Sequence, residues 1–146
     1  MMCGCGYTIL KEEVLSESDL LADKLKMEER KIIYPLLPAL KLFEQYKPGS
    51  SQFSDPIEIF RNKYGFQVDQ RGRVYLHVFA EEKRKEIPDS LIAIGSIIEK
   101  EQILSFAMPL YTIWLSPNMI RRVASWSFVS SIRAIEKPSP GYHRTN

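Results

Sequence analysis

The 146-residue sequence predicts an α+β protein: a ferredoxin-like βαββαβ antiparallel sheet with two helices on one face, preceded by a helical N-terminal segment. Three observations carry that expectation. Apolar spacing runs close to 3.6 as far as Gly65 and changes to 2 in "FQVDQRGRVYLHVFA". From Arg73 onward the elements read strand, helix, strand, strand, helix, strand, the split βαβ order. Two of those helices carry clear start or stop signals, Ser116-Pro117 opening one and Gly95 closing the other.

In chain order, "LSESDLLADKLKMEERKIIY" predicts a helix capped by Ser16 or Ser18, with Leu20, Leu21, Leu25 and Met27 as its apolar residues. Tyr34-Pro35 should break or kink it. "LLPALKLFEQY" offers a second short helix through Leu37, Leu40, Leu42 and Phe43. Pro, Gly and two Ser cluster between Lys47 and Gln52, the best linker candidate, so the chain divides into 1–52, 53–136 and 137–146. "SDPIEIFRNKYG" predicts a leading helix with Ser54 as cap, Pro56 early, Ile57, Phe60 and Tyr64 at helical spacing, and Gly65 as stop.

A short strand, a turn around Gln70-Arg71-Gly72 and a stronger strand from Arg73 to Phe79 follow. "EEKRKEIPDSLIAIG" is the first helix of the sheet unit, "SIIEKEQ" its second strand, and Leu110 to Leu115 the regular part of its third. "SPNMIRRVASW" has the strongest helix signal, Ser116 capping and Met119, Ile120, Val123 and Ala124 forming the apolar stripe. "SFVSSIRAIEK" is the last strand.

Composition narrows the function. At 45% hydrophobic and 26% charged residues the chain can fill a core. Lys and Arg number 20 against 18 Asp and Glu, a net +2 without the clustered basic face of most nucleic-acid binders. No apolar run approaches the roughly 20 residues of a membrane span, and "MMCGCGYTILKEEV" lacks the basic and apolar regions of a signal peptide. Cys3 and Cys5 are the only cysteines, and His77 and His143, the only histidines, are far from them in sequence; four zinc ligands are not in view, so no metal or cofactor is expected.

The sequence holds no Gly-x-Ser-x-Gly elbow, phosphate-cradling glycine loop or His-Glu-x-x-His helix. Its carboxylate pairs, Glu81-Glu82 and Glu99-Glu101, sit among lysines and read as solvated surface. Lys83, Arg84 and Lys85 are flanked by acids, and Arg121 and Arg122 point away from their helix's apolar stripe; all five read as solvated. The expectation is a protein that is not an enzyme.

"RGRVYLHVF" is more informative. Alternation puts Val74, Leu76 and Val78 on one face and Tyr75, His77 and Phe79 on the other. An aromatic row on an open face has three readings: a protein-docking surface, a base-stacking sheet like those that bind RNA, or a face hidden beneath the helical N-terminal third.

From Arg73 to Asn146 the chain resembles the prodomains that precede subtilisin-like serine proteases. The likeness lies in the opening strand, the helix ending Leu91-x-x-x-Gly95, the strand leading to a capped helix, the Val129-x-x-Ile132 strand and the proline-rich exit "EKPSPGYHRTN". It covers about half the chain and includes no catalytic motif. The resemblance implies an inhibitor or intramolecular chaperone, its partner a subtilisin-like protease in cis or in trans. Tyr75, His77 and Phe79 would dock, while Lys137, Pro138, Ser139, Pro140, Gly141, Tyr142, His143, Arg144, Thr145 and Asn146 would lie in the protease cleft, adding main-chain hydrogen bonds at its edge. It also sets localisation: cytoplasmic if the chain is complete, secreted if it belongs to a protease precursor. An RNA-binding or regulatory ferredoxin-like module is the alternative.

Overall fold

The computed structural model describes residues 17–49 and 52–135. Helix α1 (Glu17–Lys31) and helix α2 (Leu36–Glu44) come first, then a π-helical turn, Ile59–Lys63. Strand β1 (Val74–Ala80), helix α3 (Glu86–Ala93), strands β2 (Ile97–Ile103) and β3 (Pro109–Leu115), the short helix α4 (Ile120–Ala124) and strand β4 (Val129–Ala134) follow. The strands form one sheet in the order β2-β3-β1-β4. Every neighbouring pair is antiparallel, with Leu76 opposite Ile113 on β3 and Ala134 on β4. The chain is therefore α+β, its sheet antiparallel.

One face of the sheet is packed. Val74, Leu76, Val78 and Ala80 of β1 are fully buried, as are Tyr111, Ile113 and Leu115 of β3 and Ile132 of β4. They share a core with Ile87 and Leu91 of α3, Ile120 and Val123 of α4, and Leu36, Ala39 and Leu40 of α2. Burying each large aliphatic side chain is worth about 1.5–3 kcal/mol, so the N-terminal helices and the sheet unit stabilise one another. Phe43, Phe60, Phe66 and Tyr64 extend that core as a chain of ring contacts, the Phe43–Phe60 centroids 5.4 Å apart.

The ends of the elements follow from local chemistry, with some corrections. The leading helix is capped by Asp55 rather than Ser54: the Ile57 amide donates to Asp55 Oδ1 at 2.9 Å, and Glu58 reaches back to the Asp55 amide at 3.2 Å. That reciprocal pair satisfies two otherwise unpaired donors. The strand expected just after Gly65 shrinks to an isolated pairing of Val68 with Val74. The turn beyond it is held by Asp69, whose carboxylate accepts from the Arg71 and Arg73 amides at 2.9 and 2.8 Å and from Arg73 Nε at 2.7 Å. Those bonds hold the Asp69 carboxyl below its usual range although burial opposes them. Gly72 completes the turn at φ 79°.

α4 is shorter than its sequence signal. Ser116 makes no side-chain cap; the Met119 amide bonds the Ser116 carbonyl at 2.9 Å, and a single 3₁₀ turn precedes five α-helical residues. Trp126 and Val129 then turn the chain into β4, leaving no room for another turn.

One expectation, about α4, is overturned, and α1 leaves its apolar residues exposed. Leu20 and Met27 are 57% and 63% exposed and Leu25 is 38% exposed, because α1 is attached only near its C-terminal end. Ser16, the side chains of Ser18 and Leu21, and residues 50–51 lie outside the described residues. Arg122 is exposed as expected, but Arg121 is not solvated. Its Nη2 lies 3.0 Å from Glu29 on α1 and 2.9 Å from Glu44 on α2, and its Nε also bonds Glu44. The guanidinium reaches inward because Glu29 and Glu44 converge over α4, and it fastens both N-terminal helices to the sheet unit.

The outer edges of the sheet differ. Beside β4, Ile32 makes a parallel bridge to Ile132 and the Ile33 amide donates to the Ile132 carbonyl at 2.9 Å. That departure into the sheet ends α1 at Lys31, before the Tyr34-Pro35 bond expected to end it. Beside β2 no strand pairs among the described residues. β2 is also irregular, with a register shift between Ile98 and Lys100.

Candidate functional site

Tyr75, His77 and Phe79 stand together on the face of β1 opposite the core, half-buried where their alternate neighbours are fully buried. The register adds residues from the flanking strands. Tyr75 is opposite Trp114, His77 opposite Thr112 and Phe79 opposite Leu110 on β3; His77 is also opposite Arg133 on β4. α1 packs against α4 and β4, α2 against the π-helical turn, and α3 against β2. The side chains that α2, α3 and α4 bury all join the core on the other face. Among the described residues no helix covers the aromatic row, so the N-terminal third, as far as it is described, does not hide it.

The face is ordered by its own contacts. Tyr75 and Trp114 stack with centroids 4.4 Å apart and planes 27° apart. Tyr75 Oη donates to Glu99 Oε1 at 2.6 Å and Trp114 Nε1 donates to Glu99 Oε2 at 2.8 Å. Glu99 sits at the β2 irregularity, where a bulge can turn a side chain over the neighbouring strands. The two donors hold its carboxyl below the ordinary range, and the same bond raises the Tyr75 phenol. The result is an anionic group fixed between two aromatic edges.

Farther along, His77 meets Phe79 edge-on at 6.2 Å, and the Arg133 guanidinium lies 5.5 Å from the Phe79 ring centre. Burial, then the Arg133 charge, lower the His77 pKa and favour neutral imidazole. Leu110 and Thr112 are buried between the larger side chains, at 7% and 5% exposure. The face thus mixes apolar rings with a few fixed polar groups.

Sequence reasoning found the β1 row and missed its partners. Leu110, Thr112 and Trp114 were available from the alternation of "LYTIWL". Glu99 was not, because its position depends on the bulge. Lys137–Asn146 and the cysteines Cys3 and Cys5 lie outside the described residues. The described residues include no group of three His, Cys, Asp or Glu side chains able to hold a metal ion. No helix among them is long and apolar enough to cross a membrane. Tyr111 Oη is buried without a hydrogen-bond partner, and burial, then Glu101, push its pKa up to about 12; it lies on the packed face and offers nothing to a ligand.

Compared with protein-family models, curated proteins and solved structures, the chain matches none of them.

Proposed function

We propose that this chain is a protein-binding module that acts like the prodomain of a subtilisin-like protease, inhibiting the enzyme or assisting its folding. The observation that carries the reading is the sheet face, uncovered among the described residues, on which Tyr75, His77, Phe79, Leu110 and Trp114 lie together, opposite a fully packed face. A half-apolar surface of that extent, ordered by internal stacking and hydrogen bonds, costs little further ordering on association. The strand order β2-β3-β1-β4, with connecting helices α3 and α4 both packed into the core on one face, supports the ferredoxin-like assignment. In this reading the face rests on the protease surface and residues 137–146 occupy the substrate cleft as an added strand.

The module is non-catalytic in this proposal. Glu99 is engaged by Tyr75 and Trp114, and His77 is flanked by Phe79, Thr112 and Arg133 with no carboxylate partner in register. The RNA-binding alternative is less well supported: a fixed carboxylate between the two best stacking rings repels a phosphate backbone.

The test is inhibition of a panel of subtilisin-like proteases by the full chain and by a form ending at Glu136. Inhibition that weakens without the last ten residues supports both parts of the reading. A folded full chain that inhibits none of the panel removes it.

A further inference from the structure

Between β2 and β3 the chain turns over Ser105–Ala107, closed by the Leu104 amide donating to the Met108 carbonyl at 2.7 Å. Inside the turn Phe106 and Ala107 have φ of 62° and 58°, consecutive left-handed residues that are not glycine. A side chain is strained in that region, where glycine is the usual occupant. The strain holds out an apolar group: Phe106 is 95% exposed and Leu104 37%. Glycine and a polar residue would make the same turn more cheaply, and nothing within the described fold repays a phenyl ring in water. Strained backbone of this kind concentrates at sites of recognition.

We propose that Phe106 is an anchor that enters an apolar pocket on the protein partner already contacted by the open sheet face. This inference rests on the docking role of that face and extends it past the end of the sheet. The two are continuous, since Gln102 pairs with Leu110 and Leu110 with Phe79, so the turn springs from the row in which Phe79 lies. The pocket is apolar because the segment from Gln102 to Met108 carries no charged side chain. The same lack of cations removes the usual attraction to an anionic lipid surface. Two left-handed residues in succession also restrict the turn, so the ring is positioned before contact and loses little freedom on binding.

The experiment measures inhibition constants against the subtilisin-like panel for the wild type, Phe106→Ala, Ala107→Gly and Phe79→Ala, with the thermal midpoint of each. Phe106→Ala is expected to weaken inhibition at least about tenfold, as loss of an aromatic anchor seated in a pocket does, while its midpoint stays at the wild-type value. Ala107→Gly is expected to raise the midpoint and weaken inhibition by a smaller factor, because it relaxes the turn but keeps the ring. If Phe79→Ala loses inhibition and Phe106→Ala does not, the anchor is overturned and the docking face stands. If the wild type inhibits nothing, both fall. Wild-type binding to phosphatidylcholine vesicles that Phe106→Ala abolishes would assign the ring to lipid and also overturn the proposal.

Discussion

The two faces of β1 share a backbone and alternate residue by residue, yet they are built for different ends. Val74, Leu76, Val78 and Ala80 have no exposed surface and meet three helices; Tyr75, His77 and Phe79 meet one another's neighbours and solvent. The first set is held by packing that any aliphatic of the right volume satisfies. The second is held by directed contacts, Tyr75 by its stack on Trp114 and its hydrogen bond to Glu99 and His77 by its edge-on contact with Phe79, which packing alone does not require. The difference separates residues that keep the protein folded from residues whose contacts the core does not need.

That separation can be broken from either side. Leu76→Ala opens a cavity in the packed face and is expected to cost about 3 kcal/mol of stability, the largest effect here, read from denaturant unfolding. Phe79→Ala on the same strand should cost only about 1 kcal/mol, since its ring is half-buried, while removing most of the protease inhibition proposed for this face. Equal losses of stability for the two would erase the distinction between the faces. Tyr75→Phe should change stability less than either, yet let the Glu99 carboxyl pKa rise, measurable by carboxyl NMR, because the hydrogen bond that does most to lower it is gone. An unmoved Glu99 would mean that the aromatic pair does not fix it.

The smallest effect is in pH. His77 has a folded pKa below its ordinary value, so the unfolded chain takes up the proton first as pH drops below about 6.5. His77 therefore costs no stability above that pH and costs progressively more as pH falls toward its folded pKa. The expected result is a slightly shallower loss of stability in His77→Gln than in the wild type over that window, with identical curves at pH 8. Parallel profiles throughout would show that the imidazole is as free as in the unfolded chain.

The β1 row was legible because strand alternation is a local property, and "RGRVYLHVF" states it within nine residues. The order of strands and helices was legible for the same reason, through changes of period and the Gly95 stop. Interactions between distant segments were not. Arg121 reads as a polar residue on an amphipathic helix; only the fold brings Glu29 and Glu44 to it. Met27 and Leu20 read as apolar residues of a helix, but such residues are buried only if something faces them, and on α1 both are exposed. Glu99 needed a one-residue irregularity in β2 that no propensity encodes. Phe106 was passed over because a turn without glycine carries no signal of the backbone it adopts.

The unequal edges of the sheet bear on how many molecules can share it. Ile32 and Ile33 already occupy the β4 side, so among the described residues growth of the sheet by further copies has the β2 side to use. A second β2 aligned antiparallel about Lys100 would set Lys100 against Lys100 and Glu99 against Glu101, and like charges directly opposite repel. The irregularity at Ile98 and Lys100 also spoils the regular ladder that a fibril would template on. With a net charge of only +2, overall repulsion does little to keep copies apart. Three charged residues on one short strand therefore disfavour edge-to-edge pairing there, and replacing them with threonine or valine would remove that repulsion.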